Sequence, residues 1–208
     1  MHDAGGSGAA HYLVKIWRRV RWPLGIIVLL YVALVIYRIP AVLEQRRTAE
    51  TIDRIQAQRL TPENVDGKHL PPPPDPAQVD ATIEGVDANG NGIRDDVELA
   101  IFEKYPNSPY TRAAELQYAM ALQMYLTEVF NSETWKIAAE QKSRGSTCLS
   151  LTYPRDDLEQ FFKVVDARVG EVDDLMLNTA ERRDHYDFLD KYTTSFGLND
   201  TNVCDLDN

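Results

Sequence analysis

Residues 22 to 37, W-P-L-G-I-I-V-L-L-Y-V-A-L-V-I-Y, form one uncharged run, and apolar character resumes from Ile39 to Leu43 after Arg38. Sixteen helical residues reach about 24 Å, short of a hydrocarbon core of about 30 Å. Arg21 and Arg38 can snorkel toward headgroups, and Trp22 and Tyr37 suit the interfaces, so the run predicts a membrane-spanning helix. No small-residue cleavage site follows it, as a removable signal peptide requires. From Ala41 to Leu60 the pattern is that of a charged helix, with Glu50 four residues before Arg54 as a supporting pair. Thr61 to Leu70 reads as polar loop, and Pro71 to Pro74 as an extended, semi-rigid spacer.

The second half carries helical periodicity. Asp75 and Pro76 open a short helix that Gly85 can end. Asp96 to Tyr105 predicts another, with Leu99, Ile101 and Phe102 available for packing. Ser108-Pro109 opens a long helix extending to about Lys142. Its middle, Tyr118 to Tyr125, is apolar nearly all round, which predicts a central buried helix with Met120 and Met124 in the core. A further helix starts near Pro154, its stripe formed by Leu158, Phe162, Val165, Val169, Val172 and Met176. Its other face carries Asp156, Asp157, Glu159, Asp166, Glu171, Asp173 and Asp174. Asn178, with Glu181 three residues on, marks the cap of a last helix ending near Tyr192. No strand alternation emerges. The predicted fold is all-α: residues 1–21 before the membrane, with 1–11 disordered, 22–40 the span, 41–74 a helical then proline-rich linker, and 75–208 a helical domain of about 130 residues, enough for a core.

Charge divides the 208-residue chain. Residues 1–43 hold five Lys or Arg and one acid; residues 44–208 hold seventeen basic and thirty-one acidic residues. Lys15, Arg18, Arg19 and Arg21 before the span place the N-terminus in the cytoplasm and the domain outside it. A domain this acidic repels phosphate backbones, which argues against nucleic acid, and it suits cations or a basic protein partner. Cys148 and Cys204, the two cysteines, are expected to form a disulfide in an oxidising compartment. Such a bond would pin the tail from Thr193 to Asn208.

One segment carries chemistry. Residues 87–98, D-A-N-G-N-G-I-R-D-D-V-E, meet the pattern D-x-[DN]-x-[DN]-G-x5-E at every specified position. A hard cation takes six to eight oxygens, which alternate loop positions can aim at one point. Asp87, Asn89 and Asn91 are expected to supply side-chain oxygens, Ile93 its carbonyl, Asp95 an oxygen directly or through water, and Glu98 both carboxylate oxygens. Gly92 stands where the chain must turn sharply. The implied cofactor is Ca2+, with the modest affinity of an extracellular site, about 10⁻⁴ to 10⁻³ M or somewhat tighter. The alternative reading of these residues is an Asx-rich turn.

The segment resembles calcium loops of the EF-hand type over about residues 76–105. It departs from them at the eighth position, where Arg94 replaces the usual aliphatic residue and Ile93 stands at the seventh. With no second loop in the chain, it resembles the lone loops of dockerin-like and thrombospondin-type repeats more than calmodulin-like pairs. The run G-I-R-D-D-V-E followed by Y-P-N-S-P-Y also resembles uncharacterised bacterial envelope proteins. That resemblance implies an inner-membrane protein with a periplasmic domain and brings no activity.

Catalytic signals are sparse. His2, His11 and His69 lie outside the predicted domain, and His185, with Asp184 and Asp187 off its helical face, reads as a solvated residue. Nucleophile elbows, phosphate loops and zinc pairs of histidines are missing from the chain. The expectation is a non-enzyme with a structural calcium ion, a membrane anchor and a protein partner, without a small-molecule substrate. The alternative is an acidic inhibitor or immunity-type protein that covers a periplasmic enzyme or toxin.

Overall fold

The structure, a computed structural model, describes residues 7–197 and 202–206, and over 7–14 and at Ile16 and Val20 it describes backbone only. Among the described residues all regular structure is helical: α1 Ser7–Ala57, α2 Pro62–Val65, α3 Pro76–Val79, α4 Asp95–Lys104, α5 Pro109–Glu128, α6 Ser132–Leu151, α7 Leu158–Met176 and α8 Ala180–Leu189, then a 3-10 turn Asp190–Tyr192. The chain divides into two compact units, Met1–Arg47 and Thr48–Asn208.

The first unit is the bulk of α1. Its apolar side chains from Trp22 to Leu43 are exposed, so this is not the core helix of a soluble bundle. The helix is long and apolar enough to cross a membrane. It continues through Pro23 and through Pro40, the last residue of the expected span. Ser7 to His11, expected to be disordered, belong to the same helix, and residues 1–6 lie outside the described residues.

In the second unit α5 is central and packs on α4, α6, α7 and α8. Ala114 to Leu126 are all buried along it, Met120 and Met124 included, as its all-round apolar sequence predicts. The unit begins earlier than the expected Asp75. Thr48, Thr51, Ile55, Leu60 and Val65 are buried in it, and Pro71 is buried too, so residues 48–74 are part of the packed body rather than a spacer. Arg54 pairs with Glu128 at 2.6 Å and also feels the charge of Glu50, its expected partner.

Several boundaries differ from the pattern. The helix expected from Ser108 to Lys142 stops at Glu128. Asn131 starts α6 by accepting the Thr134 N–H at 2.9 Å, while Thr134 Oγ1 accepts the Asn131 N–H in return. α7 begins at Leu158 with Asp157 as its cap, a few residues after the expected start near Pro154. Thr179, not Asn178, caps α8, and Asn178 is used elsewhere. α3 ends at Val79, six residues before Gly85. The α7 stripe sinks into the core only in its second half: Val172 and Met176 are buried, Val165 and Val169 half-buried, Leu158 and Phe162 exposed.

Cys148 of α6 is bonded to Cys204, with Cα atoms 5.0 Å apart. The segment around Cys204 is held by more than the disulfide. Gln117 Nε2 donates to Val203 O, and its Oε1 accepts from the Asp205 N–H at 2.9 Å. Asp205 in turn accepts from the Leu60 N–H at 3.0 Å and from Arg144 at 3.2 Å. Residues 198–201, 207 and 208 of the tail lie outside the described residues.

Candidate metal centre

The loop 87–98 is anchored at both ends before any side chain turns inward. The Asp95 N–H donates to Val86 O at 2.8 Å, and α4 begins at Asp95. Ile93, at 0% exposure, roots the loop in the core beside Val97 and Ile101.

Asp87 organises the turn. Its Oδ1 accepts the N–H groups of Gly90 (2.8 Å) and Asn91 (3.2 Å), and its Oδ2 accepts that of Gly92 (2.8 Å). Asn91 Oδ1 accepts the Ile93 N–H at 2.9 Å. Gly92 has φ +82°, a conformation that costs residues with a Cβ. A Cβ there would also stand 1.6 Å from Nε2 of Gln58, whose side chain lies over the turn.

The ligand positions differ in exposure. Asp87 and Asn89 are exposed, Asn91 is half-buried, and Asp95 and Glu98 are each 1% exposed. Asn89 Nδ2 donates to Glu98 Oε2 at 3.1 Å, so the third and twelfth loop positions meet. Asp95 accepts the Ala88 N–H at 3.0 Å. Burial pushes the Glu98 carboxyl up; the adjacent Asn89 and Asn91 amides pull it part of the way back, and Asp95 and Asp87 push it up again. Burial likewise raises Asp95, against the Ala88 N–H and with Asp87 and Asp96. No basic side chain is among the groups acting on either. Asp87, Asp95 and Glu98 do not form a three-acid cage, and no group of three or more His, Cys, Asp or Glu stands at metal-holding spacing among the described residues.

These residues fit a hard cation by their chemistry. Two buried carboxylates without a positive partner are held at a cost that a divalent ion offsets. Asn91 Nδ2 is buried and makes no hydrogen bond of normal geometry, although it stands close enough to the Glu98 carboxyl to favour its charged form. Turning that amide to present its oxygen would exchange the Asn91 Oδ1 contact with the Ile93 N–H for one with a cation. Asp87, Asn89, Asn91, the Ile93 carbonyl, Asp95 and Glu98 would hold the ion, which would supply only charge and a fixed point. A cleft of about 560 Å³, bordered by Arg54, Gln58, Arg59, Asn64 and Asp87, reaches the loop.

The feature that sequence reasoning missed is Arg94. The residue at the eighth loop position is 0% exposed and leaves the loop entirely. Its guanidinium grips Asp96 (2.6 and 2.9 Å) and donates to Leu175 O (2.6 Å), Met176 O (3.1 Å) and Asn178 Oδ1 (3.4 Å). Arg182 of α8, also 0% exposed, donates to Val79 O, Thr82 O and Ile83 O and to Asn178 Oδ1. Burial, and then the Arg94 charge beside it, lower Arg182 below its ordinary value. The eighth-position departure was the visible signal, but nothing in the sequence points to its partners.

His185 is half-buried rather than solvated. Its Nε2 lies 3.0 Å from Leu126 O, and its ring stacks on Phe188. No family model, curated protein or solved structure matches the chain.

Proposed function

We propose that this is a membrane-anchored, periplasm-facing calcium-binding protein of the bacterial envelope, in which the ion braces the domain and the domain engages another protein. One observation carries the calcium reading: Asp87 gathers the N–H groups of Gly90, Asn91 and Gly92 while buried Asp95 and Glu98 stand without a basic counter-charge. The basic residues before the span support a cytoplasmic N-terminus, and the disulfide suits an oxidising compartment. The role is non-catalytic, as a tether and partner-binding module of an envelope complex. Limited proteolysis of the full-length chain in detergent tests it: calcium should protect the Asp87 region from cleavage that chelator permits. Identical cleavage in both would sink the calcium reading.

The second reading, an acidic inhibitor of a basic envelope enzyme or toxin, draws on α7. Leu158 and Phe162 are exposed one helical turn apart beside Asp156, Asp157, Glu159 and Asp166. An apolar pair in acidic surroundings suits a cationic amphipathic partner. Association with such a partner should slow steeply as salt rises, and a salt-insensitive rate counts against this reading.

A further inference from the structure

Paired calcium loops of this type brace each other, whereas this loop has no second loop in the chain. Its eighth residue is where the difference is resolved. Arg94 lies between two expected ligand residues, Ile93 through its carbonyl and Asp95 through its side chain. Coordination would fix the backbone from 93 to 95, and with it the direction in which the Arg94 side chain leaves the loop. That side chain ends on the carbonyls of Leu175 and Met176, in the last turn of α7. Those are groups a helix terminus leaves without internal partners, and a cation there is favourable. Asp96, next to Asp95, holds the guanidinium in a fork. Asn178 Oδ1 takes both Arg94 and Arg182, and Arg182 closes the circuit onto Val79, Thr82 and Ile83 ahead of the loop. Gly85 leaves room for this path: a Cβ there would stand 2.3 Å from Cδ of Arg94.

We infer that the corner between α7 and α8 serves as the loop's missing partner, and that metal occupancy is coupled through Arg94 to the seating of that corner. The inference rests on the calcium reading and adds a direction of control. Calcium tightens residues 175–189, and whatever loosens that corner lowers calcium affinity, because coupling is reciprocal.

The test uses the full-length chain in detergent, with calorimetric calcium titration beside hydrogen exchange in calcium and in chelator. In the wild type, calcium should raise amide protection over 175–189 by about fivefold or more, together with protection of 87–98. Arg94→Met should keep the gain at 87–98 and lose it at 175–189. Asn178→Ala, a milder change at an exposed residue, should weaken calcium binding by about fivefold or more. Calcium binding that protects 87–98 but leaves 175–189 unchanged in the wild type would overturn the coupling and spare the calcium reading. Unchanged affinity in Asn178→Ala would overturn it also, even where Arg94→Met does not fold. Absence of any calorimetric binding at millimolar calcium would remove both.

Discussion

Gly145 of α6 lies against the backbone of Tyr118 in α5, so closely that a Cβ at position 145 would stand 2.9 Å from Tyr118 Cα. The clash would be with main chain, which cannot swing aside as a long side chain can. Gly145→Ala should therefore force the two central helices apart and cost about 1–3 kcal/mol. At Gly170, mid-way along α7, an added Cβ would meet no atom within 4 Å. Gly170→Ala should gain about 0.5–1 kcal/mol from helix propensity alone. Denaturant midpoints of the two variants should move in opposite directions, and a shift of the same sign in both would contradict this packing.

The disulfide should matter more than its place near the chain end suggests. Cys148 and Cys204 are 56 positions apart, and the chain-entropy model gives roughly 4 kcal/mol for a loop of that size. The bridge also keeps Asp205 near the Leu60 N–H and Arg144, so releasing it frees the start of the packed unit as well. The double variant Cys148→Ser/Cys204→Ser should lose about 2–5 kcal/mol in chemical unfolding. A loss below about 1 kcal/mol would mean the tail contributes little.

A pH dependence follows from Asp173. Burial lifts its carboxyl above 3.8, although the Tyr118 hydroxyl, donating at 2.9 Å, and Lys142 pull it back, and Asp174 pushes it up. The folded state then holds more protons than the unfolded state just above pH 3.8, and stability falls as pH rises through that window. Buried Glu115, raised first of all by burial despite Arg168, adds to the same slope. Asp173→Asn keeps an acceptor for Tyr118 and cannot ionise. In chelator, its stability should decline less steeply with pH than that of the wild type; equal slopes would exclude Asp173 as a contributor.

At Gly92 two costs separate. Gly92→Ala meets an unfavourable φ, worth roughly 1–2 kcal/mol, and in addition the Gln58 side chain. Adding Gln58→Ala should recover the steric part and leave the backbone part. Thermal melts of the single and double variants measure the split. A double variant no better than the single would mean that Gln58 does not constrain the turn.

What the sequence made legible was local. The uncharged run 22–37, the buried centre of α5 and the cysteine pair each need only composition and spacing. The break at Asn131 was present as the cap N-S-E-T, but the apolar residues on either side of it imitate a continuous helix. The α7 stripe identified an apolar face without saying what covers it, and its first half proves bare at Leu158 and Phe162. Charged residues misled most. Arg94 and Arg182 have the composition of a surface, yet their carbonyl partners, Met176 and Val79, lie 82 and 103 positions away. Long-range satisfaction of a buried guanidinium leaves no periodic mark on the chain. The loop pattern itself was complete in sequence, and what the fold adds is the burial of Asp95 and Glu98.

The central claim concerns those two carboxylates, and thermal unfolding of the full-length chain in calcium and in chelator tests it most directly. Wild type should gain several degrees in about millimolar calcium, and Glu98→Gln, which removes the closing carboxylate, should gain none. An identical midpoint for the wild type in calcium and in chelator would reduce residues 87–98 to an Asx turn and contradict the account.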